Sequence, residues 1–233
     1  MKNHLFFWPI LIAGILYGCE KRGEITPQHL EYSFQNDTEG WTGDFADYPD
    51  REDAEESYAL VFEHSTLPPP LNTDTGALKQ SGKNLSDDLF MFIKKKVDGL
   101  QPGTKYYVSF EIEIASNAAS GMFGVGGAPG ESVYIKAGAT TNEPMKVLDE
   151  SDHYFRMNID KGNQSQGGAD MKVIGDFANG TDESVYTLKQ LDSDSPIEVR
   201  SNESGELWLI IGTDSGFEST TTIYYNRINV TVA

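Results

Sequence analysis

The chain carries a single cysteine, Cys19, in 233 residues. One thiol excludes an internal disulfide framework and a thiolate metal site together. Histidine is nearly as scarce, with four in all. His4 lies at the start and His29 precedes the strand-like part, which leaves His64 and His153, too few for a multi-histidine centre. Basic residues number 18 against 36 acidic ones, a net charge of −18. A surface of that sign repels phosphate backbones and anionic lipid, so nucleic acid is not an expected partner. No apolar run reaches the roughly 20 residues that a membrane span needs. Nor does any stretch of a dozen residues hold a helical period.

What is present begins with a leader. Met1 and Lys2 precede an apolar run from Leu5 to Leu16, and the run stops at Glu20-Lys21-Arg22. A positive start, about 12 apolar residues and small residues at the end are the layout of an export signal. Leu16-Tyr17-Gly18-Cys19 resembles the lipobox of bacterial lipoproteins. That resemblance implies cleavage after residue 18, a lipid on Cys19 and a place in the bacterial cell envelope, on the outer membrane or the periplasmic face. Loss of Lys2 with the leader takes the net charge to about −19. The expected organisation is a signal over 1–18, a lipidated tether over 19–29 and one domain over 30–233.

Beyond the tether the chain reads as strands. Tyr106, Val108, Phe110, Ile112 and Ile114 alternate with Tyr107, Ser109, Glu111, Glu113 and Ala115. A strand with one apolar face covers a core on one side and meets water on the other, which is antiparallel-sheet behaviour. Further strands are expected at 31–34, 57–62, 131–137, 153–159, 171–177, 185–191, 197–200, 207–211 and 220–232, while 89–97 runs apolar and then basic. Residues 36–53 read as a long loop. Residues 64–84, with Pro68-Pro69-Pro70, read as neither helix nor interior strand. Many short strands divided by Asp, Asn and Gly clusters predict an all-β antiparallel sandwich or barrel.

Three pieces resemble the galactose-binding-like, carbohydrate-binding-module type of β-jelly roll. They are Tyr32-Ser33-Phe34 with Glu39-Gly40-Trp41, then Gly99-Leu100-Gln101-Pro102-Gly103-Thr104 leading into Tyr106–Phe110, and Leu207-Trp208-Leu209 with Thr222–Ile228. The resemblance implies a jelly-roll β-sandwich that acts as an exported binding module. It also implies a structural calcium ion near the first and last strands. There Asn226, a neutral and weaker ligand, stands in place of an aspartate.

Trp41, Asp44, Asp47 and Tyr48 fall within eight residues and form the leading candidate site. Sugar recognition needs a flat aromatic face for the C–H side of the ring and carboxylates for the hydroxyls. The alternative is that the aromatics pin a loop to the sandwich while the acids stay in water. Asp214 and Glu218, in Gly212-Thr213-Asp214-Ser215-Gly216-Phe217-Glu218, are a second candidate pair for calcium or a hydroxyl-rich ligand, and an ordinary hairpin would look the same. The glycines of 121–130 do not make a dinucleotide loop, because Pro129 replaces the glycine that opens a helix.

The reading is a lipid-anchored, non-catalytic binding module for carbohydrate, with no catalytic residue assigned. A polysaccharide lyase or glycosidase is one alternative and needs a cleft holding Arg156 or a carboxylate pair with perturbed protonation. An envelope protein that offers its surface to a protein partner is the other, and needs a contiguous apolar patch.

Overall fold

Residues 25–86 and 88–233 are described by a computed structural model. The leader and Cys19 lie outside them. Strands are numbered in chain order. The first sheet runs β12 (Thr187–Asp192), β7 (Lys105–Ser116), β15 (Thr220–Val232), β5 (Gly76–Lys83) and β4 (Val61–Thr66). Two short strands share edges in it: β1 (Gln28–Tyr32) pairs with β15, and β13 (Ile197–Arg200) pairs with β7. The second sheet runs β11 (Met171–Asp176), β8 (Val133–Thr140), β14 (Leu207–Ser215), β6 (Leu89–Val97) and β2 (Thr42–Ala46). All these pairings are antiparallel. The all-β antiparallel sandwich is therefore what the sequence forms.

Its core lies between the sheets. Val108, Phe110, Ile112 and Ile114 of β7 face Met91, Ile93, Ile135, Leu209 and Ile211 of the second sheet, all buried. The alternation read from residues 106–115 thus sets the inward face of β7. Each such side chain contributes roughly 1.5–3 kcal/mol on burial.

Three expectations change. β5 lies inside 64–84 and is an interior strand between β4 and β15. The proline run ends six residues before it, so no ladder hydrogen bond is lost to Pro. Residues 57–62 split between a short helix, α1 (Ala54–Ser57), and the start of β4. The turn at Ala59, with φ of 48°, divides them. The third change matters most for the site. The long loop of 36–53 contains β2 and β3 (Tyr48–Pro49). β3 joins β10 (Tyr154–Met157) and β9 (Lys146–Asp149) in a small third sheet.

The third sheet and the segment 158–170 form a cap on part of the outer face of the second sheet. Ala46, Phe90, Phe92, Ile210 and Met171 make a separate buried cluster there, packed by Met157 and Ile159. Glycine permits the close approach. A Cβ on Gly138 would lie 2.3 Å from the carbonyl oxygen of Asp170. One on Gly212 would lie 2.6 Å from the Phe90 ring.

Candidate functional site

Trp41 and Tyr48 do not form a sugar platform: each is only 1% exposed. The reason is pairing. Thr42–Ala46 zips onto β6, and the residues around Trp41 and Phe45 then face the core. Trp41 meets Tyr32 edge-on at 5.5 Å. Tyr48 packs between Tyr58 at 5.8 Å and Phe155 at 5.1 Å.

The acids of the same stretch find lysines. Asp44 points outward from β2, and its carboxylate lies 3.2 Å from Nζ of Lys146 on β9. Lys146 also donates to the Tyr48 hydroxyl at 2.7 Å. Burial works against the charge of Lys146, but Tyr48 and Asp44 outweigh it and raise its pKa. Two of the expected residues are therefore joined, by a third that the sequence did not single out.

Asp47 and Asp214 are joined more deeply. Asp214 stands on the outer face of β14 under the cap and is fully buried. Its Oδ2 accepts from Lys136 Nζ at 2.7 Å, Lys161 Nζ at 2.9 Å and the Gln164 backbone N–H at 3.0 Å. Lys136, on β8 and also fully buried, donates further to the carbonyl oxygens of Lys161 and Gln166, each at 3.0 Å. Lys161 continues to Asp47 Oδ2 at 2.9 Å and lies 4.9 Å from the centre of the Phe90 ring. Arg156 closes the chain, holding Asp47 at 3.2 Å and Asp152 at 2.8 Å. One ionic network thus ties β8, β14, the β2–β3 turn, β10 and the 158–170 segment together. Glu218, expected beside Asp214, is exposed on the following turn and plays no part.

Burial would raise the pKa of Asp214, but Lys161 and Lys136 overcome it and hold the carboxylate below its usual range. Burial also opposes the charge of Lys161, which Asp214, Asp47 and Asp88 reverse, so its pKa is raised. Lys136 shifts down, because burial there exceeds the attraction of Asp214.

Asp88 is the seventh charged member. Burial and the negative charges of Asp47 and Asp214 push its pKa up to about 7, against the pull of Lys161. Asp88 Oδ1 and Asp214 Oδ1 are both buried without a donor. A proton on Asp88 turns that contact into a hydrogen bond from one acid to the other.

One carboxylate oxygen from each of Asp47, Asp88 and Asp214 lies within 4.8 Å of the others, a donor set of the kind hard cations take. Lys161 already stands there as the cation. A divalent ion could enter only as that ammonium leaves, since a second buried positive charge beside it would be strongly repelled. At the position implied for calcium, Asn226 donates to Glu113 at 2.6 Å. The nearby turn is held by Glu39, which accepts from the N–H of Phe34 at 2.7 Å.

The acid pair has the altered protonation of an acid–base centre, yet Asp214 is closed to any substrate. The accessible chemistry lies elsewhere on the same face. Where the cap ends, Trp208 of β14 stands half-buried, cross-strand from Lys96 on β6 and Thr140 on β8. Lys94 lies 5.6 Å from the Trp208 ring centre and pairs with Glu143 at 2.7 Å. Lys96 pairs with Glu206 at 2.9 Å. The signal for Trp208 was the alternation itself: Leu207, Leu209 and Ile211 face the core, which turns Trp208 outward.

No protein-family model matches this chain, and no curated protein matches it. Among solved structures it is similar to a mannan-recognising carbohydrate-binding module, TmCBM27, at 11% identity over 90% of this chain and 99% of that one, TM-score 0.40. It is also similar to the K1 cleaved adhesin domain of Lys-gingipain from Porphyromonas gingivalis W83, at 11% identity over 87% and 97% of the two chains, TM-score 0.38. A third is a putative sugar binding protein from Bacteroides thetaiotaomicron VPI-5482, at 8% identity over 82% and 86%, TM-score 0.37. These likenesses are to β-sandwiches. The architecture assigned above rests on the strand pairing.

Proposed function

We propose that this protein is a non-catalytic binding module that takes a neutral carbohydrate on the open part of the second sheet's outer face. The observation that carries the reading is Trp208. It is a partly exposed tryptophan on the outer sheet face with two Lys–Glu pairs beside it. Its ring offers the apolar face that a pyranose stacks on, and the pairs offer donors and acceptors for hydroxyls. The net charge of −18 disfavours anionic glycans.

A glycan array on residues 25–233, followed by titration of any hit, tests this. Trp208→Ala is expected to weaken binding about tenfold or more, in line with loss of a central aromatic contact. Its melting temperature should stay close to that of the wild type. Chelator should leave binding unchanged, because Lys161 serves as the buried cation. Binding that survives Trp208→Ala would remove the site, and an array without hits would remove the carbohydrate.

The export and anchoring belong to the same proposal. Lipidation of Cys19 would hold the domain on the bacterial envelope, at the outer membrane or the periplasmic face. Metabolic labelling with an alkyne fatty acid in a bacterial host should mark the wild type and fail on Cys19→Ala. Equal labelling of both would overturn the anchor.

A further inference from the structure

The connection between β7 and β8 has a composition unlike the strands and turns around it. Charged residues make up 23% of the protein, yet the 14 residues Asn117 to Gly130 hold none. At its tip, Phe123 is 98% exposed, Val125 67% and Met122 47%.

Its hydrogen bonds hold the tip in place. The Ser120 N–H donates to the Thr181 carbonyl at 2.7 Å, and the Gly121 N–H to Glu131 Oε1 at 2.7 Å. The Glu218 N–H donates to the Val125 carbonyl at 2.9 Å. Gly124 lies flat on Phe217, so close that a Cβ there would come within 2.4 Å of the ring. Three apolar side chains are therefore held out in water by a braced backbone. A braced tip has little ordering entropy left to lose on contact, which favours docking.

The surroundings select the partner. Beside the tip lies a cavity of about 230 Å³, lined by Met122, Phe177, Phe217, Thr220 and Thr222 among others, with no charged residue. Around it stand Glu131, Asp182, Glu183 and Glu218, the last three exposed. Two bases stand in this region: Lys83, opposite Thr220 across the β5–β15 ladder, and Lys189, whose charge is already taken by Asp176 and the carbonyl oxygen of Ala178. An acidic rim repels the anionic headgroups of a bilayer. It also sets two copies of an already acidic chain against each other. An apolar centre with a charged rim is the anatomy of a protein interface. The tip also lies near the start of β15, whereas β1 pairs with the end of that strand, about 40 Å away at roughly 3.4 Å per residue. The finger therefore points away from the end at which the chain enters the sandwich.

We propose that Met122, Phe123 and Val125 form a docking finger for a protein partner that presents an apolar pocket rimmed by Lys and Arg. The finger is separate from the Trp208 face, so it stands or falls independently of carbohydrate binding. The test places a photo-crosslinking phenylalanine analogue at position 123 of the full chain, in cells that make it. The captured protein is identified, purified and titrated against wild type, Phe123→Ser and Trp208→Ala.

One partner should appear. It should bind Phe123→Ser about tenfold or more weaker, as for a hot-spot aromatic. It should bind Trp208→Ala like wild type, and lose affinity as salt rises. Phe123 is exposed enough that its serine variant should fold normally. No crosslink, a crosslink only to a second copy, or a partner indifferent to Phe123→Ser would each overturn the proposal. So would sedimentation with phosphatidylcholine vesicles that depends on Phe123.

Discussion

Asp214→Ala is expected to lower folding stability by about 3–5 kcal/mol, the cost of removing one partner from a buried ion pair. The geometry sets this high in the range of single substitutions. Asp214 Oδ2 alone receives Lys136, Lys161 and the Gln164 N–H. Without it, Lys136 keeps only two carbonyl oxygens for a charge that has no access to water. Against a total stability of about 5–15 kcal/mol, the loss is a large share. Urea unfolding of the two proteins measures it. A difference under about 1 kcal/mol would mean that water reaches these ammonium groups, and the closed network would be wrong. Replacing both partners, Lys136→Met with Asp214→Leu, should recover part of the loss, since paired buried charges are often matched by apolar residues of similar volume.

The second expectation concerns pH. Asp88 has a pKa near 7 in the folded protein, against an ordinary carboxyl value of 3.8. The native state therefore holds this proton more tightly than the unfolded chain does. The stabilisation is complete below about pH 4 and is lost as the pH rises through about 7. Asp214 works in the other sense: its lowered pKa contributes stability above the usual carboxyl range, lost as the pH falls below it. The network is thus best satisfied between about pH 4 and pH 7, with Asp88 protonated and Asp214 ionised. Asp88→Asn should remove the decline across that window and exceed the wild type at pH 8, because a carboxamide donates to Asp214 without a charge. Urea midpoints from pH 4 to pH 8.5 at constant ionic strength decide this. An asparagine variant that keeps the wild-type slope would show that Asp88 is not the titrating group.

The sandwich was legible because β-strand periodicity is local. Val108, Phe110, Ile112 and Ile114 announce their buried face without reference to any other strand. The site was legible only in part, and the reason is that exposure is decided by partners far away in the chain. Trp41 and Tyr48 look like a surface pair because they sit among Asp and Gly, but β6 and β10 claim that stretch as strands. Lys136 alternates with Ile135 and Ala137, which reads as a solvated face. The cap that covers it comes from residues 146–170. Asp44, Asp47 and Asp214 stood out as candidates for binding a ligand, and in the fold each lies against a lysine of another segment. Trp208 carried its own signal in the alternation, whereas the finger at Phe123 could be known only as a glycine-rich loop until its exposure was seen.

The single carboxylate of Asp214 also bears on the order of assembly. Its partners come from β8 and from the 158–170 segment, and through Lys161 from the β2–β3 turn, so no hairpin can form the network by itself. Contacts between remote segments of this kind close late, after the chain has already lost most of its freedom. Interactions absent from the transition state act on escape from the native basin rather than on entry to it. The ions beneath the cap therefore work as a kinetic lock. In a chevron for Asp214→Ala, the unfolding limb should rise while the folding limb stays close to that of the wild type.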